Sequence, residues 1–315
     1  MAHRDPSVDD NFLVRASVKP ETLRRYLGAV SGFLLYCEER DLEAYDEWDL
    51  DRHLRTYIHH LYRAGASRQM AAYAVYGVQL LLGKRYSLHT AKRALNGWSR
   101  LEPSQPRPPM PYEVMLLSAL WLGRRGGRAA GAAMVVAFHG LLRISELLGL
   151  RVGDVAGPRD PGAQRSHAAW VLALPRTKTG SNQHVVIDDP LACALLASWT
   201  AGRGSDERLF GLSDYAFRKA LKEAGEALQL GHIGYVPHSL RHGGATYLHS
   251  LGWSLQDIQK KGRWKISDTA GHYIQAGRAL VLSQRIPAEV MTFGKLLASP
   301  AGQELLLHSL RRSSP

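Results

Sequence analysis

His238-Ser-Leu-Arg-His-Gly-Gly-Ala-Thr246, with Lys261-Gly-Arg-Trp264 and Gly271-His-Tyr-Ile-Gln275 after it, is the stretch on which the reading of this chain turns. Pro237 marks a helix start. His238 and Arg241, three residues apart, then share one helical face. The positive end of that helix favours an anion such as phosphate. Gly243, Gly244 and Ala245 leave room for close packing or close approach of backbone. His238 and His242 have metal-ligand spacing, but no third ligand of a zinc-enzyme motif follows. Upstream, Leu141-Leu-Arg-Ile-Ser-Glu-Leu-Leu-Gly-Leu150 sets Arg143 in an otherwise apolar helical run. Burying that charge is costly without a partner anion. Glu146, three residues on, shares the helical face and is placed to orient Arg143 when no ligand is bound. Between these stretches, Arg176-Thr-Lys-Thr-Gly180 puts Lys178 in a turn.

Around these motifs the chain reads as mainly α with one small β-hairpin, in two parts. Residues 1–19 form a polar leader. Residues 20–101 hold four helices. The first carries Leu23, Tyr26, Leu27, Val30, Leu34 and Cys37 at helical spacing, and the second carries Leu50, Leu54, Tyr57, Ile58 and Leu61, with Asp49 as its cap and Gly65 as its end. The third starts after Ser67 with Met70, Tyr73, Val78 and Leu81, and the fourth covers His89 to Leu101. Residues 102–111 are a proline-rich linker that cannot be helical. Residues 112–285 form a mixed domain. In it, a helix at Tyr112–Leu122 precedes the loop Gly123–Arg128, whose arginines either touch phosphates or are simply solvated. A buried-type helix at Ala133–Leu142 leads into Arg143. Strands at Ala169–Leu174 and His184–Ile187 flank a turn at Pro175–Gln183, and helices follow at Leu191–Thr200, Ser213–Ala227, His238–Leu251 and Ser254–Lys260. Residues 286–315 are a helical tail. Its Leu296, Leu297, Leu305, Leu306, Leu307 and Leu310 pack either on their own subunit or on a neighbour.

The 315 residues include 40 basic and 28 acidic side chains, a net charge of +12. Such an excess favours a polyanionic partner, most simply nucleic acid. Cys37 and Cys193, the two cysteines, sit in apolar helical contexts and read as small core residues rather than a disulfide or metal pair. The first residues carry no hydrophobic signal region, and no apolar run approaches the roughly 18 residues that span a bilayer. The expected setting is intracellular, nuclear in a eukaryote and otherwise cytoplasmic.

Breaking a phosphodiester by direct attack requires neutralising the non-bridging oxygens and protonating the leaving 5′-oxygen. Positioned cations and acids do both without a metal. Arg143, Lys178, His238, Arg241, Trp264 and Tyr273, in this order and in these contexts, resemble the tyrosine recombinase (phage integrase) family over about residues 135–280. The phrase from His238 to Thr246 with Gly-Arg-Trp looks closer to eukaryotic mobile-element recombinases than to bacterial ones. The resemblance implies a helical core-binding domain followed by a mixed catalytic domain. It implies that Arg143 and Arg241 grip the phosphate, with Glu146 in support, and that Lys178 serves as general acid, with Arg176 as the nearby substitute. His238 would accept the tyrosine proton or hydrogen-bond the phosphate, and the Trp264 indole would donate to a non-bridging oxygen. Tyr273, nine residues past Trp264, would attack to leave a 3′-phosphotyrosine; Tyr247, its nearest competitor, reads as core. Such an enzyme needs no metal and no ATP, and the chain has no Gly-x-x-x-x-Gly-Lys-Ser/Thr loop. Its partners would be double-stranded DNA and further copies of itself, as a dimer or tetramer, with no membrane. Rival readings are a catalytically inactive DNA-binding derivative of a mobile element and a type IB topoisomerase-like enzyme. A metal nuclease fits least, because no paired-carboxylate cluster is present.

Overall fold

A computed structural model of the chain describes residues 12–83, 86–103, 107–158, 169–177, 180–264 and 274–312. By internal contacts the chain divides into residues 1–105 and 106–315. The division falls inside the proline-rich stretch.

The first unit contains α1 (Phe12–Ala16), α2 (Pro20–Glu38), α3 (Glu47–Arg63), α4 (Arg68–Leu82) and α5 (His89–Leu101). The short α1 lies in the segment expected to be a polar leader. Asp46, not Asp49, caps α3, its side chain accepting the Asp49 N–H. The buried face of α2 is Ala29, Val30, Phe33 and Tyr36, whereas Leu27 and Leu34 are exposed. Likewise α4 buries Ala71, Ala74, Val75 and Val78 while Met70 and Leu81 face out. Close approach of α2 and α4 explains both departures from the sequence reading. A Cβ on Gly77 would lie 2.7 Å from Val30 Cγ2, so small residues occupy the contact and larger ones are displaced to the rim. The N-terminus of α5 is capped from α3, where buried Asp51 accepts the N–H groups of Thr90 and Ala91, both at 2.8 Å.

The second unit is built on α6 (Tyr112–Arg124) and α7 (Arg128–His139). Every residue of α7 from Ala130 to His139 is buried. Around this pair stand α8 (Ile144–Gly149), α9 (Pro190–Thr200), α10 (Asp214–Ala227), α11 (Pro237–Ser250), α12 (Leu255–Gly262) and α13 (Ala276–Ser283). The sheet has three antiparallel strands rather than two, in the order β1 (Val155–Ala156), β2 (Trp170–Thr177), β3 (Gly180–Ile187). Pairing of β2 with β3 runs from Trp170↔Ile187 to Thr177↔Gly180, so most of the expected turn is strand. Leu172, Leu174, Val185 and Ile187 point to the core. Met110, inside the expected linker, is buried and its N–H donates to the Ser239 carbonyl at 3.0 Å.

The tail forms α14 (Ala288–Leu297) and α15 (Pro300–Leu310) and packs on the same unit. Leu306 and Leu310 are fully buried, and the Trp199 indole donates to the Leu310 carbonyl at 3.0 Å. Leu296 and Leu305 stay exposed. No helix among the described residues is long and apolar enough to cross a membrane. Both cysteines are free thiols.

Candidate active site

The run expected to carry Arg143 on a continuous helix is broken. After α7 ends at His139, Leu141 adopts a left-handed backbone, φ 46°. Arg143 then sits in an extended conformation, φ −74° and ψ 149°, as the residue before α8. Glu146 is in the first turn of α8 and reaches back. Its Oε2 accepts the Arg143 backbone N–H at 2.9 Å, and its Oε1 accepts Arg143 Nη1 at 2.6 Å. The carboxylate thus satisfies an open helix-end donor and orients the guanidinium together.

Arg241, from α11, is completely buried. Its guanidinium donates to the carbonyls of Leu141 and Gly262 and lies 4.8 Å from the Trp264 ring centroid. Its Nη1 is 4.0 Å from Glu146 Oε2. Trp264 is itself buried, just past the end of α12. His238 precedes Arg241 by one turn, and its ring meets the His242 ring edge to face at 5.0 Å. His242 Nδ1 is 3.0 Å from the Gln275 side-chain amide, and the Gln275 N–H donates to Thr246 Oγ1 at 3.2 Å. These bonds fasten the residues just before α13 onto α11.

The helix packing that holds this geometry needs glycine. A Cβ on Gly243 would lie 2.0 Å from the Met110 carbonyl oxygen, and one on Gly244 2.2 Å from that of Phe138. The approach expected for these residues is therefore to the protein's own backbone.

The electrostatics follow from the cluster. Burial, with Arg241, Arg143 and Arg107 nearby, pushes the His238 pKa down to about 4, so its imidazole is neutral at pH 7. Burial by itself raises Glu146, but Arg263, the Arg143 N–H and the Arg143 guanidinium outweigh it and hold this carboxyl below its ordinary range. Arg263 is the functional candidate that motif reading missed. Its Nη2 donates to Glu146 Oε2 at 3.0 Å and to the Leu141 carbonyl at 3.1 Å. The available signal was its place beside Trp264 in Lys-Gly-Arg-Trp.

Of the expected site residues, the structure brings together Arg143, His238, Arg241 and Trp264, with Glu146 between the arginines. Lys178 and Tyr273 lie outside the described residues. Tyr247 stacks on Tyr112, ring centroids 4.4 Å apart, as part of the packed interior. Among the described residues no group of three His, Cys, Asp or Glu side chains is arranged to hold a metal ion.

Residues 127–279 match the phage integrase family model, a span that includes all six motif residues. That span, just under half of the chain, therefore resembles a phage integrase, or tyrosine recombinase, domain. The fold is similar to that of XerH site-specific recombinase bound to difH substrate in a pre-cleavage complex, with a TM-score of 0.52, 12% identity and coverage of 79% of this chain and 74% of that one. It is also similar to the Tn1549 transposon integrase, residues 82–397, in complex with circular intermediate DNA, with a TM-score of 0.51, 15% identity and coverage of 85% and 98%. At such identities the likeness concerns the fold alone. No curated protein matches the sequence.

Proposed function

We propose that this protein is a site-specific DNA recombinase or integrase that cleaves and rejoins duplex DNA through a 3′-phosphotyrosine intermediate, without metal or ATP. The observation that carries the reading is the convergence of Arg143 and Arg241, from two distant motifs, on the single buried carboxylate of Glu146 beside Trp264. Guanidiniums converging in one buried pocket suit an oxyanion such as a phosphate, whose oxygens their planar forks grip in pairs.

In this mechanism the Tyr273 phenolic oxygen bonds to phosphorus while the bond from phosphorus to the 5′-oxygen breaks. Arg143 and Arg241 stabilise the charge that develops on the non-bridging oxygens. The tyrosine proton goes to neutral His238, and Lys178 supplies a proton to the leaving 5′-oxygen. An arriving phosphate offsets the arginines that depress His238, so the imidazole becomes a better base when substrate is bound. The phosphotyrosine ester conserves the bond, and attack by a 5′-hydroxyl reverses the step. Exchange of strands between two duplexes calls for two or four copies of the chain on DNA.

The test is a nicked suicide duplex carrying a site selected by the protein from random DNA. Wild type should accumulate a covalent adduct, and Tyr273→Phe should bind with unchanged affinity and form none. An adduct of undiminished yield from Tyr273→Phe would remove this tyrosine from the mechanism.

A further inference from the structure

Lys261 has no part in the mechanism above, yet its side chain is only 9% exposed. Its Nζ donates to the Val186 carbonyl at 3.2 Å and to Asp188 Oδ1 at 3.0 Å. The same ammonium stands over the Trp253 ring, 5.2 Å from its centroid. Taking an ammonium group out of water is costly, and an ion pair to an aspartate that is itself half exposed returns little stability. Stability alone is therefore a weak reason for this burial.

What the bonds join gives a better one. Val186 and Asp188 lie at the end of β3, the outer strand in the order β1-β2-β3. A carbonyl on the free side of an outer strand needs a partner from elsewhere, and Lys261 supplies it from the last turn of α12. That helix has eight residues, of which only Ile258 and Gly262 are buried. So short a helix has little stability of its own, and its placement depends on what holds its ends. Lys261 directly precedes Gly262, whose carbonyl accepts from Arg241. It stands three residues before Trp264, whose ring centroid lies 4.8 Å from the Arg241 guanidinium. The other carbonyl that accepts from Arg241 belongs to Leu141, two residues past the end of α7. His139, the last residue of α7, lies 3.5 Å from Asp189 Oδ1. Residues 186–189 thus adjoin both segments that present acceptors to Arg241.

We propose that Lys261 is a positioning residue of the phosphate site: its bonds to Val186 and Asp188 hold the last turn of α12 against β3, and so set the Gly262 carbonyl and Trp264 where they orient Arg241. The proposal rests on the recombinase reading above. It assigns Lys261 no contact with DNA. Misplacing a catalytic group by about 1 Å slows a reaction by up to about a hundredfold, so loss of Lys261 acts on the rate of cleavage and not on the affinity for DNA.

The probe is the same nicked duplex, read for single-turnover adduct rate and for dissociation constant. Lys261→Met keeps the stem beside Trp253 and removes the ammonium. It should slow adduct formation by about fivefold or more with affinity changed by less than about twofold. Arg203→Met is the matched structural control. The Arg203 side chain is also 9% exposed and pairs with Glu207 at 3.0 Å, but its other bonds run to the carbonyls of Trp199, Arg208 and Leu209. Its loss should lower the melting temperature and leave the adduct rate within about twofold of wild type. Because Asp188 acts through Lys261, the double variant Lys261→Met/Asp188→Ala should be no slower than Lys261→Met alone. A smaller loss for Lys261→Met, a loss matched by Arg203→Met, losses that multiply in the double variant, or DNA binding weakened in step with the rate would overturn the proposal. Should Lys261→Met fail to melt cooperatively, Asp188→Ala decides, since that side chain is half exposed: a rate loss of about threefold or more at unchanged affinity upholds the proposal, and a smaller one overturns it. Absence of any adduct with wild type would overturn the recombinase reading itself, a failure seen before any variant is compared.

Discussion

Glu146 is the residue through which the cations of the site act on one another. It is 6% exposed, and its oxygens lie 2.6 Å from Arg143, 3.0 Å from Arg263 and 4.0 Å from Arg241. Removing one partner of a buried ion pair typically costs about 3–5 kcal/mol, because the remaining charge is stranded. Glu146→Leu should therefore lower unfolding free energy by about that amount in guanidinium titrations, and Glu146→Gln, which still accepts from Arg143, by less. A loss within error for Glu146→Leu would mean that the guanidiniums are hydrated after all. His238 supplies a pH signature of its own. Its ordinary pKa of 6.5 falls to about 4 in the fold. Between those values the unfolded chain binds more protons, so stability rises with pH. The contribution is complete above about pH 6.5 and is lost as pH falls toward 4. Because the ring is partly exposed, the total is about 1–3 kcal/mol, less than full burial would give. His238→Gln should flatten the melting temperature profile in that window, with buried His139, also shifted down, accounting for the slope that remains. An unaltered profile would contradict the depressed value.

Two elements decide whether these side chains meet, and they differ in how far the sequence foretells them. The face of α11 is one: Gly243 and Gly244 approach the backbones of Met110 and Phe138 so closely that a methyl group cannot be accommodated without movement. Gly243→Ala and Gly244→Ala should each destabilise by about 2 kcal/mol or more. Gly225→Ala, in α10 with open space at its Cβ position, should instead stabilise by about 0.5–1 kcal/mol through helix propensity. Thermal melts of the three variants test both signs. The small-residue run of α11 was legible because it lies within a helix whose periodicity is plain. The approach to Arg143 was not, because Leu-Leu-Arg-Ile-Ser-Glu reads as one amphipathic helix. Only tertiary packing shows that the chain breaks at Leu141 and restarts after Arg143. In the same way, apolar spacing located α2 and α4 but misassigned their buried faces, since Gly77 against Val30 brings the helices together through small side chains. Arg263 went unread for a related reason: its partners, Leu141 and Glu146, are more than a hundred residues away in sequence.

At the scale of the molecule, a net charge of +12 and a recombination reading both call for an extended polyanion. In the first unit, Arg55, His59 and Arg63 form a stripe four residues apart on the exposed side of α3. Arg55 and Arg63 put two positive charges on this face, which a bound phosphate backbone would neutralise. The DNA association constant should thus fall linearly with salt on logarithmic axes, and replacing Arg55 and Arg63 with Ala should reduce the slope by about two. An unchanged slope would place the stripe off the DNA. The proposed mechanism depends on one bond, between a tyrosine oxygen and a DNA 3′-phosphate. Peptide mapping by mass spectrometry of the adduct trapped on the nicked duplex observes that bond directly. The nucleotide remnant should reside on Tyr273; a remnant on Tyr247 or on any other residue would contradict the account.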